Sequence, residues 1–225
     1  MKGWVIPPQE NSHFVAAMEQ VLDVYKRPYN KSRPVVCMDE TPKQLIKEVR
    51  RSLPARPGSE ERVDYEYSRC GVCNVFMINE PLAGKRFTKV TNQRTKKDWA
   101  LLVKYICDKL YPDAEVITLV MDNLSSHSAA ALYETFEPEE AKRIWDRLEF
   151  IFTPKHGSWL NMAEIELNVL TKQCLNRRIE DLQTIKTEVK AWQSNRNNKD
   201  SRIKWQFTTT DARVKLHRLY PSIHN

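Results

Sequence analysis

The sequence predicts an α/β protein in which a mixed β-sheet lies between helices. Short apolar runs alternate with segments of helical periodicity, and two β-rich runs are joined by a turn, as in a hairpin. The resulting order of strand, hairpin pair, helix, strand, helices, strand and long helix is typical of a sheet covered by helices. The length of 225 residues is sufficient for one domain with a sizeable core, or for two small ones.

Residues 1–33 are predicted to form a lead-in arm or linker. Pro7 and Pro8 interrupt regular structure, and Ser12 is the predicted N-cap of a helix that ends before Arg27. The apolar side of this helix consists of Phe14, Met18, Val21, Leu22 and Tyr25. Such a helix needs a partner that covers its apolar side.

Two predicted strands carry an acidic residue at their carboxyl end. The apolar run of residues 35–38 ends in Asp39, which Glu40 follows, and the run of residues 116–121 ends in Asp122. Catalytic groups of open α/β sheets gather at the carboxyl ends of strands. Asp39 and Asp122 are therefore candidate functional residues.

The other elements complete the α/β pattern. Further strands are predicted at residues 63–67, 71–78, 85–90 and 148–152. Helices are predicted at about residues 95–110, 128–136, 139–147, 158–174 and 181–192. We therefore expect an α/β domain over residues 34–200 and a C-terminal tail over residues 201–225.

The net charge of +7 is concentrated near the C-terminus. Residues 1–170 carry 24 Lys and Arg against 24 Asp and Glu, whereas residues 171–225 carry 12 against 5. A basic tail on a neutral body is typical of a protein that binds a polyanion such as nucleic acid. The alternative interpretation is an ordinary solvated basic face.

Neither a membrane span nor a disulfide framework is expected. The longest apolar runs are far shorter than the roughly 20 residues of a span, and the N-terminus has no apolar signal core, which predicts a cytoplasmic protein. Five scattered cysteines indicate reduced thiols. For the CxxC pair Cys70 and Cys73, cysteines in an apolar strand are favoured over a zinc or redox site.

The paired acids indicate a divalent cation between Asp39 and Asp122. Two neighbouring carboxylates repel each other unless a cation lies between them, and Mg²⁺ or Mn²⁺ prefers such hard oxygen ligands. The alternative is that both acids are simply solvated. A third acid is expected on the long helix, where Glu164 and Glu166 point to nearly opposite sides, so only one of them can approach the pair. Helical periodicity leaves that choice open.

Three ordered blocks of sequence contain these acids, namely residues 37–41, 121–127 and 153–164. They resemble the acidic blocks of DDE transposases, most closely those of the bacterial insertion-sequence branch of the mariner superfamily. In that family the third acid closes a Leu-Asn-x-x-Glu block, which matches residues 160–164 and selects Glu164. The similarity extends from near Trp4 to the C-terminus.

The resemblance implies an RNase H-like (retroviral-integrase-like) fold with a mixed sheet flanked by helices. It implies cleavage of double-stranded DNA at element ends and transfer of the freed 3′-hydroxyls into target DNA. Asp39, Asp122 and Glu164 are assigned as the catalytic residues and as the ligands of Mg²⁺ or Mn²⁺, with two ions expected. The resemblance also implies a homodimer in the active complex and a nucleoid-associated place in the bacterial cytoplasm.

Residues beside the three acids are candidates for supporting roles. Asn123 and His127 follow the second acid and are expected to assist the site or to contact DNA. The residues expected to contact the DNA backbone are Lys155, His156, Ser158, Lys172, Arg177 and Arg178. The alternatives are an ordinary helix turn with a surface histidine and an ordinary basic loop.

Two alternatives for the function remain. Family members normally carry an N-terminal helix-turn-helix region that recognises inverted repeats, and we expect the segment before Trp4 to be too short for it. One alternative is therefore a catalytically inactive DNA-binding or regulatory transposase fragment. The other, a nuclease that acts on RNA in a hybrid, fits the acids but not the block of residues 160–164.

Overall fold

The computed structural model describes residues 6, 7, 9–50, 53–62, 64–122 and 128–222. Its strands are β1 (Val35–Glu48), β2 (Tyr67–Glu80), β3 (Lys85–Thr91), β4 (Ile117–Met121) and β5 (Leu148–Phe152). Its helices are α1 (Ser12–Tyr25), α2 (Lys96–Tyr105), α3 (Ala129–Tyr133), α4 (Pro138–Asp146), α5 (Met162–Leu170), α6 (Leu182–Asn198) and α7 (Thr209–Lys215). π-Helical turns extend α2 over Ile106–Leu110 and α5 over Thr171–Leu175, and 3₁₀ turns span Ser158–Leu160 and His217–Leu219.

The five strands form one sheet in the order β3-β2-β1-β4-β5. β1, β2 and β3 pair antiparallel, whereas β4 pairs parallel with both β1 and β5. The two parallel pairs place the carboxyl ends of β1, β4 and β5 toward the same edge. The predicted α/β class with a mixed sheet is confirmed.

Helices cover both faces of the sheet, and each face has its own buried core. One core lies under α1, α5, α6 and α7, and includes Cys37 and Val120 from the central strands. The other lies under α2, α3 and α4, and includes Val36, Met38 and Leu119. Alternate residues of each central strand therefore point to opposite cores.

Strand β1 is much longer than the apolar run that predicts it. It pairs with β4 over only three residues, Val35 to Cys37, but with β2 along nearly its full length. The second half, which contains Lys43 and Gln44, is partly exposed and polar. Apolar patterning misses this half because cross-strand pairing with β2, and not burial on both faces, holds it in place.

The N-cap of helix α1 lies one residue earlier than the sequence predicts. The Asn11 side chain accepts a hydrogen bond from the backbone N–H of Phe14 at 2.9 Å, so Asn11 is the N-cap and Ser12 is the first helical residue. The prediction of Ser12 as the cap was wrong, because both residue types are good caps and two adjacent candidates compete.

The N-terminal helix and the C-terminal residues lie against each other. The Asn11 backbone N–H donates to the Leu219 carbonyl at 2.9 Å, and Arg213 forms an ion pair of 2.8 Å with Glu19. Met18, Val21 and Leu22 of α1 are buried in the same core as α5. The apolar side of α1 is thus covered by the core that it shares with α5. The boundaries proposed at residues 34 and 200 remain a prediction.

The cysteine thiols are free, with Cys70 exposed and Cys73 buried on β2. In the part of the chain that the structure describes, no helix combines the length and the apolar character that a membrane crossing requires.

Candidate active site

The first two acids lie side by side where β4 ends, with Asp39 within β1 and Asp122 directly after β4. Cys37 of β1 is opposite Val120 of β4 in a parallel register, and continuing that register by two residues places Asp39 beside Asp122. Cys37 and Val120 face the core under α5. Because alternate residues of a strand share a face, Asp39 and Asp122 lie on the side of the sheet that α5 covers.

The two glutamates of α5 have different surroundings. Glu164, in the first turn of the helix, is half-buried, and its Oε2 atom is buried without a hydrogen-bond partner among the described residues. Glu166 is fully buried and forms ion pairs with Arg86 at 2.8 Å and with Arg196 at 3.0 Å. Glu166 is therefore held by two arginines, whereas Glu164 is on the side of the paired acids.

Burial and neighbouring acids both act on the carboxyl group of Asp39. Burial, together with the smaller effect of the negative charges of Asp122, Glu40 and Glu164, raises the pKa of Asp39 to about 7. The hydrogen bond from the backbone N–H of Glu40 at 2.8 Å acts in the opposite direction. A carboxylate in such a place is stabilised by a bound cation or by a proton.

The three carboxylates lie in the same part of the fold, but they are not arranged closely enough to hold a metal ion. Among residues 6–222, apart from those that the structure does not describe, no group of three or more His, Cys, Asp or Glu side chains has the arrangement needed to hold a metal ion. Repulsion between like charges opposes a closer approach. The assignment of Asp39, Asp122 and Glu164 as metal ligands remains a prediction, and it requires these side chains to move together around an ion.

Glu40 lies on the other face of β1. Its side chain is 4% exposed, and its Oε1 atom is 3.8 Å from the Arg94 guanidinium. This position agrees with the alternation along the strand, which directs Glu40 away from the face that Asp39 occupies.

The start of α5 is fixed by residues to which the sequence assigned no role in the site. The Asn161 side chain caps α5 by accepting from the Ala163 backbone N–H at 3.1 Å, and its Nδ2 donates to the Met38 carbonyl at 2.8 Å. The Tyr25 hydroxyl donates to the Leu160 carbonyl at 2.7 Å. The preference for Asn at helix N-caps could have identified Asn161, but no sequence pattern indicates Tyr25.

The loop that leads into α5 presents polar side chains a few residues before Glu164 in the sequence. Lys155, His156 and Ser158 are exposed. His156 has a φ of 66°, which a non-glycine residue rarely adopts. A Cβ atom at Gly157 would lie 2.5 Å from the Pro154 ring, so this tight turn requires glycine. The loop has a defined shape and leaves these side chains accessible.

The other predicted DNA contacts lie further along the chain from α5. Lys172 and Arg177 line an open groove of about 530 Å³ together with Lys199, and Arg177 forms an ion pair of 2.9 Å with Glu188. The guanidinium of Arg178 lies 5.5 Å from the centre of the Tyr67 ring. The candidate residues Asn123 and His127 lie outside the described residues.

One family model matches this chain. The family model described as DDE superfamily endonuclease matches residues 34–186, a segment that contains all three acids. No curated protein sequence matches the chain.

Among solved structures, the chain is similar to the Mos1 mariner paired end complex with Mn, with a TM-score of 0.61 and 14% identity, over 89% of this chain and 61% of that one. The Mos1 Strand Transfer Complex has a TM-score of 0.57 and 14% identity, over 89% of this chain and 62% of that one. The mariner Mos1 paired end complex with Mg has a TM-score of 0.61 and 13% identity, over 99% of this chain and 67% of that one. The chain spans about three fifths of the first of these proteins. The predicted RNase H-like fold is confirmed.

Proposed function

The chain belongs to the DDE superfamily of endonucleases, and from this premise we propose that it is the catalytic part of a transposase. Its reaction is cleavage of DNA at the ends of a mobile element, followed by transfer of the freed 3′-hydroxyls into target DNA. The observation that carries the proposal is the position of Asp39 and Asp122 on adjacent strands where β4 ends, on the face of the sheet that the Glu164 helix covers.

The donor set fits a hard divalent cation. All three side chains offer carboxylate oxygens, which Mg²⁺ and Mn²⁺ prefer, and the buried Oε2 of Glu164 has no hydrogen-bond partner among the described residues. We assign Asp39, Asp122 and Glu164 as the ligands of two such ions. The bound ions supply charge stabilisation during phosphodiester displacement.

The chain's own residues provide position and a shielded environment. Asp39 and Asp122 follow the pairing of two central strands, and Glu164 projects from a helix packed on the same face, so no acid depends on a mobile surface loop for its placement. Partial burial strengthens the attraction of these carboxylates for a cation. Catalysis of this kind consists mainly of orientation and charge stabilisation.

The DNA backbone is proposed to follow two basic surfaces. Lys155, His156 and Ser158 lie in the loop before Glu164 and contact phosphate near the cleavage site. Lys172 and Arg177, with Arg178 beside them, contact the backbone further away. Lys172 is eight residues along the helix from Glu164, about 12 Å at the usual helical rise. Asn123 and His127 are proposed to assist Asp122 or to contact DNA.

The assembly and the finer classification belong to the same proposal. The Mos1 structures are a paired end complex with Mn, one with Mg, and a strand transfer complex. By analogy, we propose that two copies of this chain act together on double-stranded element ends and target DNA. The Leu-Asn-x-x-Glu block of residues 160–164 supports the bacterial insertion-sequence branch of the mariner superfamily. A nucleoid-associated role in the bacterial cytoplasm follows from that placement.

The proposal also divides the chain. The N-terminal segment of residues 1–33, whose helix α1 packs into the core of the catalytic domain, precedes that domain of residues 34–200, and a basic tail follows over residues 201–225. The match of the family model to residues 34–186 supports the start of the middle unit.

Nicking of supercoiled plasmid DNA by the purified chain tests the function. We expect nicking that requires Mg²⁺ or Mn²⁺, is abolished by a chelator, and is lost in Asp39→Asn, Asp122→Asn and Glu164→Gln. Metal-dependent nicking that persists in all three variants would show that the acids do not form the active site.

A second candidate function is DNA binding without catalysis. The observation that favours it is the basic charge of residues 171–225, which contain 12 Lys and Arg but only 5 Asp and Glu. In a gel-shift titration, a chain with this role binds duplex DNA with an affinity that falls steeply as salt rises, yet nicks no plasmid with either metal. Metal-dependent nicking by the parent chain rules it out.

A further inference from the structure

Two side chains outside the acidic triad join the start of α5 to β1 and to α1. We propose that Asn161 and Tyr25 are positioning residues that hold Glu164 in place relative to Asp39. This inference rests on the proposed function, because the placement of Glu164 matters only if the acids bind metal together.

Both the oxygen and the nitrogen of the Asn161 side-chain amide form hydrogen bonds. Its Oδ1 accepts from the Ala163 backbone N–H at 3.1 Å and caps α5, while its Nδ2 donates to the Met38 carbonyl at 2.8 Å. The side chain is 1% exposed, so both hydrogen bonds form out of contact with solvent, where losing either is costly. One residue therefore bonds both the helix that carries Glu164 and the residue before Asp39.

The backbone of Asn161 completes the link to Glu164. The Glu164 backbone N–H donates to the Asn161 carbonyl at 3.0 Å. The path from Glu164 to Asp39 thus runs through the backbone and side chain of Asn161 and through Met38. A shift of Asn161 changes the separation of two of the proposed ligands.

Tyr25 fixes the residues on either side of Asn161. Its hydroxyl donates to the Leu160 carbonyl at 2.7 Å and accepts from the Met162 backbone N–H at 3.4 Å. The ring packs against Trp205 with a centroid separation of 5.2 Å. Because Tyr25 is the last residue of α1, the N-terminal helix contributes directly to the geometry of the site.

A purely structural role would have a different signature. Loss of a cap or of a buried hydroxyl lowers the free energy of unfolding wherever it occurs. A positioning role also changes the affinity for the metal, because partners that orient ligands typically contribute 10- to 100-fold to metal binding or activity. Metal affinity therefore separates the two roles.

Matched substitutions isolate the positioning contacts. Asn161→Ser keeps a good capping residue but removes the donor to Met38, and Tyr25→Phe removes only a hydroxyl. Asn11→Ser makes the same exchange at the N-cap of α1, and Tyr220→Phe removes a hydroxyl that donates to Glu19 at 2.9 Å. Neither control residue bonds to α5 or to β1 in these contacts.

The experiment measures Mn²⁺ binding to the full chain by electron paramagnetic resonance of the free ion, with thermal melting and plasmid nicking on the same samples. We expect Asn161→Ser to weaken Mn²⁺ binding on the order of 10-fold and Tyr25→Phe by about threefold, each with a matching loss of nicking rate at saturating DNA. Asn11→Ser and Tyr220→Phe bind Mn²⁺ like the parent.

Each outcome decides the question. Parent-like Mn²⁺ binding by Asn161→Ser and Tyr25→Phe, with lowered melting temperatures alone, overturns the positioning role and leaves the proposed function intact. If the parent chain itself binds no Mn²⁺, both proposals fail. If Asn161→Ser does not fold, Tyr25→Phe decides the matter, since it removes one oxygen atom.

Discussion

Glu164 and Glu166 are two residues apart on the same helix, yet the surroundings of their side chains are opposite. Glu166 is fully buried and bonded to two arginines, while Glu164 is half-buried beside Asp39. Residues two apart on a helix point to nearly opposite sides, so each meets different elements of the fold. The comparison shows that a glutamate paired with arginines stabilises the fold, whereas a glutamate beside other acids is available to bind a cation.

The Glu166 site is a buried ionic network that joins four parts of the chain. Arg86 of β3 bonds to Glu166, to the Gly84 carbonyl at 2.7 Å, and to the Ser201 carbonyl. Arg196 of α6 adds two more hydrogen bonds to Glu166. Burial alone would raise the pKa of Glu166, but the hydrogen bonds from Arg196 and Arg86 outweigh it and hold the pKa below its usual value.

The Glu164 site lacks such compensation. Among the described residues, no ion pair with Lys, Arg or His is found for Glu164 or for Asp39, and the neighbouring charges are negative. Attraction for a cation is the expected consequence. The same substitution at both positions therefore tests the comparison directly.

The largest effect is expected for Glu164→Gln on activity. Loss of one proposed ligand should lower the metal-dependent nicking rate by on the order of 1,000-fold, or ~4 kcal/mol of transition-state stabilisation. The free energy of unfolding should change by less than about 1 kcal/mol, because repulsion between neighbouring acids is relieved. Plasmid nicking and urea denaturation measure the two quantities. A variant that nicks like the parent contradicts the role of Glu164.

The reverse pattern is expected for Glu166→Gln. Removal of the buried charge leaves Arg86 and Arg196 without their counter-ion and should lower the free energy of unfolding by about 3 kcal/mol. At a temperature where the variant is folded, its nicking rate should stay within about threefold of the parent. Urea denaturation gives the first value. Unchanged stability would mean that the arginine network is not the role of Glu166.

A smaller effect is expected for Arg196→Gln. Its side chain is 23% exposed, and Glu166 keeps its ion pair with Arg86 when Arg196 is neutralised. We expect a loss of about 1.5 kcal/mol in the free energy of unfolding, typical of hydrogen bonds to a charged group. A loss as large as that of Glu166→Gln would contradict the expectation that Arg86 alone keeps Glu166 paired.

The smallest effect is expected for an ion pair at the surface. Arg27 bonds to Glu149 at 2.7 Å, but both side chains are about two fifths exposed, so Glu149→Gln should cost about 0.5 kcal/mol. Hydrogen bonds from Arg27 and, to a smaller extent, from Thr118 lower the pKa of Glu149 from 4.5 to about 2. The contribution is therefore full above pH 4.5 and is lost as the pH falls toward 2. Urea denaturation of parent and variant across that range measures it.

The sequence predicted those features that depend on local patterns. The fully apolar β4 and the acid that follows it were predictable, because burial on both faces selects apolar residues. Asp39 was predicted to end its strand, but it lies within β1, just beyond the last residue that pairs with β4. The choice between Glu164 and Glu166 was not predictable from periodicity. It depends on Arg86, which lies 80 residues away in sequence and reaches Glu166 only in the folded sheet.

The polar second half of β1 and the role of Tyr25 were missed for the same reason. Lys43 bonds to the carbonyls of Leu175 and Arg177, and Tyr25 bonds to Leu160, so each contact crosses more than 130 residues of sequence. Such contacts leave no local pattern. Asn161 differs, since its capping role was accessible from residue type and position.

Mn²⁺ binding by the parent chain, by Glu164→Gln and by Glu166→Gln tests the central claim most directly. If Asp39, Asp122 and Glu164 form one metal-dependent centre, the parent and Glu166→Gln bind Mn²⁺ with similar affinity, and Glu164→Gln binds it at least 10-fold more weakly. Equal binding by Glu164→Gln and the parent, or a loss confined to Glu166→Gln, would contradict the account.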